Sequence, residues 1–268
     1  MHSPSTQQVH NRWRLIYLLV LLSFVPSGLC QSEGAQAYET FLTWRKEPAN
    51  AELKWDAVIE KYRAKLTAEG LNESDAAKVL SIISSRDEGA FYDQIFSEPH
   101  KFTTTPNALL VEAVKNRPAG KALDVAMGQG RNSIYLAQKG WDVTGFDVSK
   151  VGLAEARRLA TASGVEIHTT LASDEEFDFG VDQWDLIAIL YPIEKRSVYR
   201  VRKALKPGGI VVVECSHKEA SNAPFEFETN ELLKIFDGFR ILKYEDAMGT
   251  HEWASKELRM VRLIAQKM

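Results

Sequence analysis

Cysteine is scarce in this chain of 268 residues: there are two, Cys30 and Cys215. A disulfide scaffold is therefore excluded, and if Cys30 is lost with a leader no internal disulfide can form at all. Histidine and cysteine nowhere fall at metal-ligand spacing, so no metal site is expected. No Ser-His-Asp arrangement can be built from the sequence. Basic charge is neither abundant nor clustered. The formal net charge is −3, with Lys and Arg scattered, so no basic field favours nucleic acid. Internal repeats and low-complexity tracts are missing. The apolar run at 15–25 is shorter than the roughly 20 residues a bilayer-spanning helix needs. What remains is a chain 45% hydrophobic, enough at this length to bury one large core.

The short apolar run has a recognisable setting. Arg12 and Arg14 precede it, and Pro26, Ser27 and Gly28 follow. This is the charge and size order of an export signal over residues 1–30, with cleavage after Cys30 or, less close to the run, after Ala37. No stable membrane span is then expected in the mature chain, and export to a periplasmic or secreted location follows if the signal is used, a cytoplasmic one if it is not. Residues 38–90 read as a helical extension. Apolar positions recur at helical spacing over 38–44, 51–66 and 74–83, with a break at Gly70, Leu71 and Asn72, and Asn72 or Ser74 is placed to cap the third helix. Trp44, Trp55 and Tyr62 are expected to pack these helices together.

The stretch 122–149, ALDVAMGQGRNSIYLAQKGWDVTGFDVS, carries the chemistry. It reads as strand, glycine turn, helix, second strand and a terminal acid. Gly128 and Gly130 let the chain turn sharply and let a ligand approach where a Cβ would block it. Residues 132–139 have helical spacing, 143–146 form the next strand, and Asp147 at its carboxyl end is placed to hold a ribose diol. Gly-x-Gly with an acid about 20 residues on also describes dinucleotide sites. Two residues argue against that: Ser133 stands where a third glycine would be, and Asp124 precedes the turn, where its charge would repel a pyrophosphate. A sulfonium and an α-ammonium would instead be attracted.

These residues resemble motif I of the class I S-adenosylmethionine-dependent methyltransferases, an acid followed by Gly-x-Gly-x-Gly. Here the positions are Asp124, Ala126, Gly128 and Gly130. Alanine at the first glycine position is tolerable if its φ stays negative. The resemblance continues with Asp147 and Val148 at the ribose, and with LASDEEFDF, whose Ser173 or Asp174 would meet the adenine amine. WDLIAIL would end at Tyr191 beside the methyl group, and ALKPGGIVVVEC matches the family's helix-turn-strand signature. FYDQIF, PNALL and GQGRN together are similar to the small bacterial methyltransferases that include the tellurite-resistance type. The resemblance implies an α/β fold over residues 91–268: a three-layer Rossmann-like sheet of seven strands, mostly parallel with an antiparallel last strand, behind an N-terminal helical extension. Strands are expected at 123–126, 143–146, 165–171, 184–190, 210–213, 239–244 and 260–265.

The activity implied is methyl transfer from S-adenosyl-L-methionine to a small-molecule acceptor. Methyl transfer needs alignment more than acid–base chemistry, and a base only where the acceptor is protonated. Tyr191, Glu214 and His217 are the candidates for one, and His251 and Trp253 stand in a loop that could reach the same opening. Tyr92, in the region with which family members close the cofactor pocket, is a further residue of interest. Two other classes remain open: an NAD(P)-dependent oxidoreductase, and an exported non-catalytic binding protein that kept the pocket. Export would separate the enzyme from a cofactor made in the cytosol.

Overall fold

The computed structural model describes residues 31–98, 103–190, 195–219, 226–251 and 256–268. The expected leader over residues 1–30, and the side chains of Tyr191 and Trp253, lie outside the described residues. The chain divides into two compact units, one ending at Asp87 and one beginning at Glu88.

The first unit is helical: α1 (Gln31–Arg45), α2 (Pro48–Ala51), α3 (Trp55–Ala68) and the first half of α4 (Glu73–Ser97). Its core is aromatic. The Tyr62 ring meets Phe41 edge-on at 5.1 Å and Trp44 at 4.7 Å, with Val58, Leu66 and Ile83 buried around them. Trp55 is more exposed and touches the cluster through Phe41. Asn72 Oδ1 accepts the Asp75 N–H at 2.9 Å, which starts α4 at the expected break. Ala37 is buried within this core, so a chain beginning at Gln31 keeps α1 whole and one beginning at Tyr38 would lose its first two turns.

The second unit is an α/β sandwich. Its seven strands are β1 (Lys121–Val125), β2 (Asp142–Asp147), β3 (His168–Leu171), β4 (Trp184–Leu190), β5 (Leu205–Ser216), β6 (Arg240–His251) and β7 (Lys256–Gln266). They lie in the order β3-β2-β1-β4-β5-β7-β6. The first five are parallel, and β7 inserts antiparallel between β5 and β6. The central strands carry mostly apolar residues over their middle stretches because both faces are covered. Ile187, Ile189, Val211 and Val213 face one layer with Val198, Val201 and Ala204 of α8 (Lys195–Ala204) and Leu232 and Ile235 of α9 (Glu231–Ile235). Leu186, Ala188, Ile210 and Val212 face the other, against Leu109 and Leu110 of α5 (Ala108–Val114) and Leu136 of α6 (Arg131–Gln138). A fifth helix of this unit, α7 (Lys150–Ala162), follows β2.

Strand order reverses between β1 and β4. In such sheets ligands bind in the crevice outside the carboxyl ends at that switch point. Two sequence expectations need correction. The third strand begins at His168, not at 165; it is an edge strand with exposed side chains, so no burial extends it. The sixth runs on to His251, where a loop was expected. Its ladder with β7 continues past the last β5 pair, Ser216 with Met260, as far as His251 with Lys256, so backbone pairing rather than core packing sets its length.

Central and edge strands should differ sharply in denaturant unfolding. Ile187→Ala, wholly buried in β4, should cost about 3 kcal/mol. Thr170→Ala, on the exposed edge strand β3, should stay within about 0.5 kcal/mol. Equal effects at the two positions would contradict the strand order.

Candidate functional site

The turn between β1 and α6 is built from left-handed backbone. Ala126, Gly128 and Gly130 have φ of 53°, 53° and 78°. Ala126 thus takes a conformation that L-residues pay about 1–2 kcal/mol to adopt, contrary to the negative φ expected of it. The glycines are needed for packing as well as for φ. A Cβ on Gly130 would stand 2.9 Å from Ala156 of α7, and one on Gly128 would stand 3.1 Å from the Phe96 ring. At both positions the obstacle to a side chain is the protein itself, not the open approach of a ligand. Gly130 also closes the turn, donating its N–H to the Met127 carbonyl at 2.9 Å.

Asp147 ends β2 beside this turn. Its carboxylate accepts the Gly128 N–H at 2.8 Å and the Ser149 N–H at 2.8 Å. Burial raises its pKa, against the hydrogen bonds from Ser149, Gly128 and Val148. Asp124 is 1% exposed and accepts the Ser133 hydroxyl at 2.7 Å. Burial pushes its pKa up to about 6, with the Asp147 charge adding to the rise and Ser133 and Arg131 opposing it. Ser133, at the place of a third glycine, is therefore the partner of the motif acid.

The neighbouring loop is tied to the same edge. Ala172 donates its N–H to the Asp147 carbonyl at 3.1 Å. Ser173 is buried, and both its N–H and its hydroxyl go to the Glu176 carboxylate, at 3.0 and 3.1 Å. Asp174, one residue on, is only half-buried. The last turns of α4 bring three more side chains. Asp93 accepts the Ser149 hydroxyl at 2.6 Å and the Val151 N–H at 3.0 Å, capping α7. Phe96 covers Gly128 and Gly152. Tyr92 is half-buried, and its hydroxyl pKa is raised by burial and then by the charges of Glu88 and Asp147. Tyr92, Asp93 and Phe96 share one helix face by their spacing of three and four.

Two of the three candidate bases, Glu214 and His217, link separate elements of the sheet edge. Glu214 is 4% exposed. It accepts from Asn107 Nδ2 at 2.8 Å and Arg262 Nε at 2.6 Å, while Asn107 Oδ1 caps α5 at Leu109 and Leu110 and the Asn107 N–H reaches Asn132 of α6. His217 is equally buried. Its Nδ1 accepts the Glu219 N–H at 3.1 Å, which leaves the proton on Nε2, 3.1 Å from the Thr229 hydroxyl. That hydroxyl donates to Asp246 at 2.8 Å. Asn107 was missed by the sequence reading, although an asparagine just before the run ALLV is an N-cap signal. Asn132 and Arg262 gave no such signal. Cys215 is buried, with its thiol pKa raised mainly by that burial. Among the described residues no group of His, Cys, Asp or Glu could hold a metal ion, and no helix is long and apolar enough to cross a membrane.

A family model described as Tellurite resistance protein TehB matches residues 91–263. Among curated proteins, Hemagglutinin 1 of Eikenella corrodens is 26% identical over 180 residues, 63% of this chain and 59% of that protein. The probable S-adenosyl-L-methionine-dependent methyltransferase TehB of Haemophilus influenzae is 27% identical over 172 residues, 59% of this chain and 58% of that one. The chain thus spans somewhat under three fifths of the length of these relatives. The crystal structure of TehB from Haemophilus influenzae matches with a TM-score of 0.53 at 24% identity, over 66% of this chain and 67% of that one.

Two measurements follow from the turn. Ala126→Gly should raise stability by about 1 kcal/mol in chemical denaturation, because it releases a strained φ; a loss would mean that the methyl group packs. Asp124→Asn should change the pH dependence of stability. The folded carboxyl holds its proton up to about pH 6, the unfolded one only to roughly 4. The wild type should therefore lose about 3 kcal/mol as pH rises through that window, and Asp124→Asn should not. Parallel pH profiles would place the charge in water.

Proposed function

The chain belongs to the TehB family of S-adenosyl-L-methionine-dependent methyltransferases, and from that premise we propose that it binds S-adenosyl-L-methionine across the β1–α6 turn and passes the methyl group to a small-molecule acceptor. The observation that carries this is the pair of buried carboxylates, Asp124 and Asp147, beneath one glycine turn. The Asp147 charge raises the affinity of Asp124 for a proton and the Asp93 charge that of Asp147, so the site favours a ligand that brings positive charge. A sulfonium and an α-ammonium do so; a pyrophosphate does the opposite.

In this reading the ribose hydroxyls donate to Asp147 beside Val148, and the methionine end lies over Ala126, Gly128 and Gly130. The adenine amine meets the loop after β3. There Ser173 or Asp174 is the acceptor, and Ser173 also holds the Glu176 carboxylate. Asp124 acts through its field and through Ser133 rather than by direct contact. Tyr92 covers the pocket. When bound, the cofactor supplies an electrophilic methyl carbon on sulfur. The chain's own part is to orient it, exclude water and aim it at the acceptor. A small acceptor is supported by the net charge of −3, which offers no attraction to a polyanion.

Calorimetry with S-adenosylhomocysteine and NAD side by side tests the reading. S-adenosylhomocysteine should bind and NAD should not. Asp147→Ala should weaken the former by about 2–3 kcal/mol, the worth of a charge-assisted hydrogen-bond pair. Unchanged affinity in a folded Asp147→Ala protein would remove the ribose assignment.

A further inference from the structure

We infer that Arg200 of α8 is the positioning residue for adenine recognition: it holds the backbone of the loop after β3 at the place where that loop faces the base. This rests on the cofactor reading above. The loop carries Asp174, Glu175, Glu176 and Asp178 within five residues. One guanidinium gathers it. Arg200 Nη1 donates to the carbonyls of Asp174 at 2.6 Å and Glu175 at 3.3 Å, and Nη2 donates to that of Phe177 at 2.6 Å. Three carbonyls on one planar fork is a geometry that a lysine ammonium, with one nitrogen, cannot reproduce.

The same guanidinium lies 4.7 Å from the centre of the Phe179 ring. Phe179 meets Phe146 and Phe177 edge-on at 5.7 and 5.5 Å, and Phe146 stacks on Phe177 at 4.2 Å. Phe146 immediately precedes Asp147. The stack therefore joins Arg200, the loop and the ribose acid, and the Ala172 N–H to the Asp147 carbonyl closes the circuit. Arg200 is half-buried and contributes nothing to the apolar seam of its helix, which is Val198, Val201 and Ala204. Substituting it should free the loop and leave the core intact.

The test compares S-adenosylhomocysteine with S-inosylhomocysteine, in which a ring carbonyl replaces the adenine amine, by calorimetry on the full chain. The wild type should prefer the adenine form. Arg200→Ala should weaken S-adenosylhomocysteine about tenfold or more and the inosine form less than about twofold, collapsing the preference while the thermal midpoint stays near that of the wild type. Arg200→Lys should fall between the two. If Arg200→Ala fails to fold, the same ratio is read from Arg200→Gln. An unchanged preference in a folded variant, or an equal loss for both ligands, would overturn the inference alone. A wild type that binds neither ligand would overturn the cofactor reading itself.

Discussion

The hydrogen bond from the Gly128 N–H to the Asp147 carboxylate, 2.8 Å long and buried, joins the two loops on which the carboxyl edge of the sheet depends. One loop leaves β1 and the other leaves β2, and the Met127 N–H already reaches the Phe146 carbonyl at 3.0 Å. The carboxylate adds a side-chain link between them. It also takes the Ser149 N–H, so the start of α7 is drawn to the same point. For the Gly128 N–H to face Asp147, the backbone between β1 and α6 must pass three times through left-handed φ. The strain at Ala126 is the local cost of that path.

Electrostatics at this edge run against ordinary carboxylate behaviour. Asp124 and Asp147 are both buried, and burial raises the pKa of each above the usual carboxylate value. A protein keeps such an arrangement at some expense of stability, and a bound cation offsets it. The other polar groups near the edge are spent on holding elements together. Glu214 links β5, β7 and the cap of α5, and His217 closes a chain of hydrogen bonds to Asp246 through Thr229.

The strands that were legible as sequence are those buried on both faces. β1, β2, β4 and β5 are marked by runs such as Leu186 to Leu190 because each residue must find apolar neighbours. β3 and the far end of β6 lack that mark: their pairing is backbone to backbone, and an edge ladder accepts polar side chains such as Thr169, Thr170 and Thr250. The helical extension was legible by period, and Asn72 by capping chemistry. Asp124, Gly128, Gly130 and Asp147 stood out by spacing, and the family by the resemblance of these and later segments to its motifs.

Their individual tasks did not follow from spacing. Whether the Cβ missing from Gly130 leaves room for a ligand or for Ala156 depends on where α7 packs, and α7 is 20 residues further on. Whether Glu214 is a base or a joint depends on Asn107 and Arg262, neither of them near it in the chain. Ser173 is tied to Glu176, three residues on, by a turn that spacing does not reveal, and Arg200 reaches its loop across an intervening strand. The sequence by itself marked the first strand–turn–helix–strand unit and the acid–glycine turn, because these rest on local periodicity and on the conformational freedom of glycine, and its resemblance to a known family supplied the rest of the α/β class. Tertiary structure alone decided which polar atoms are already satisfied, because a hydrogen-bond partner is set by distance in space and not by separation along the chain.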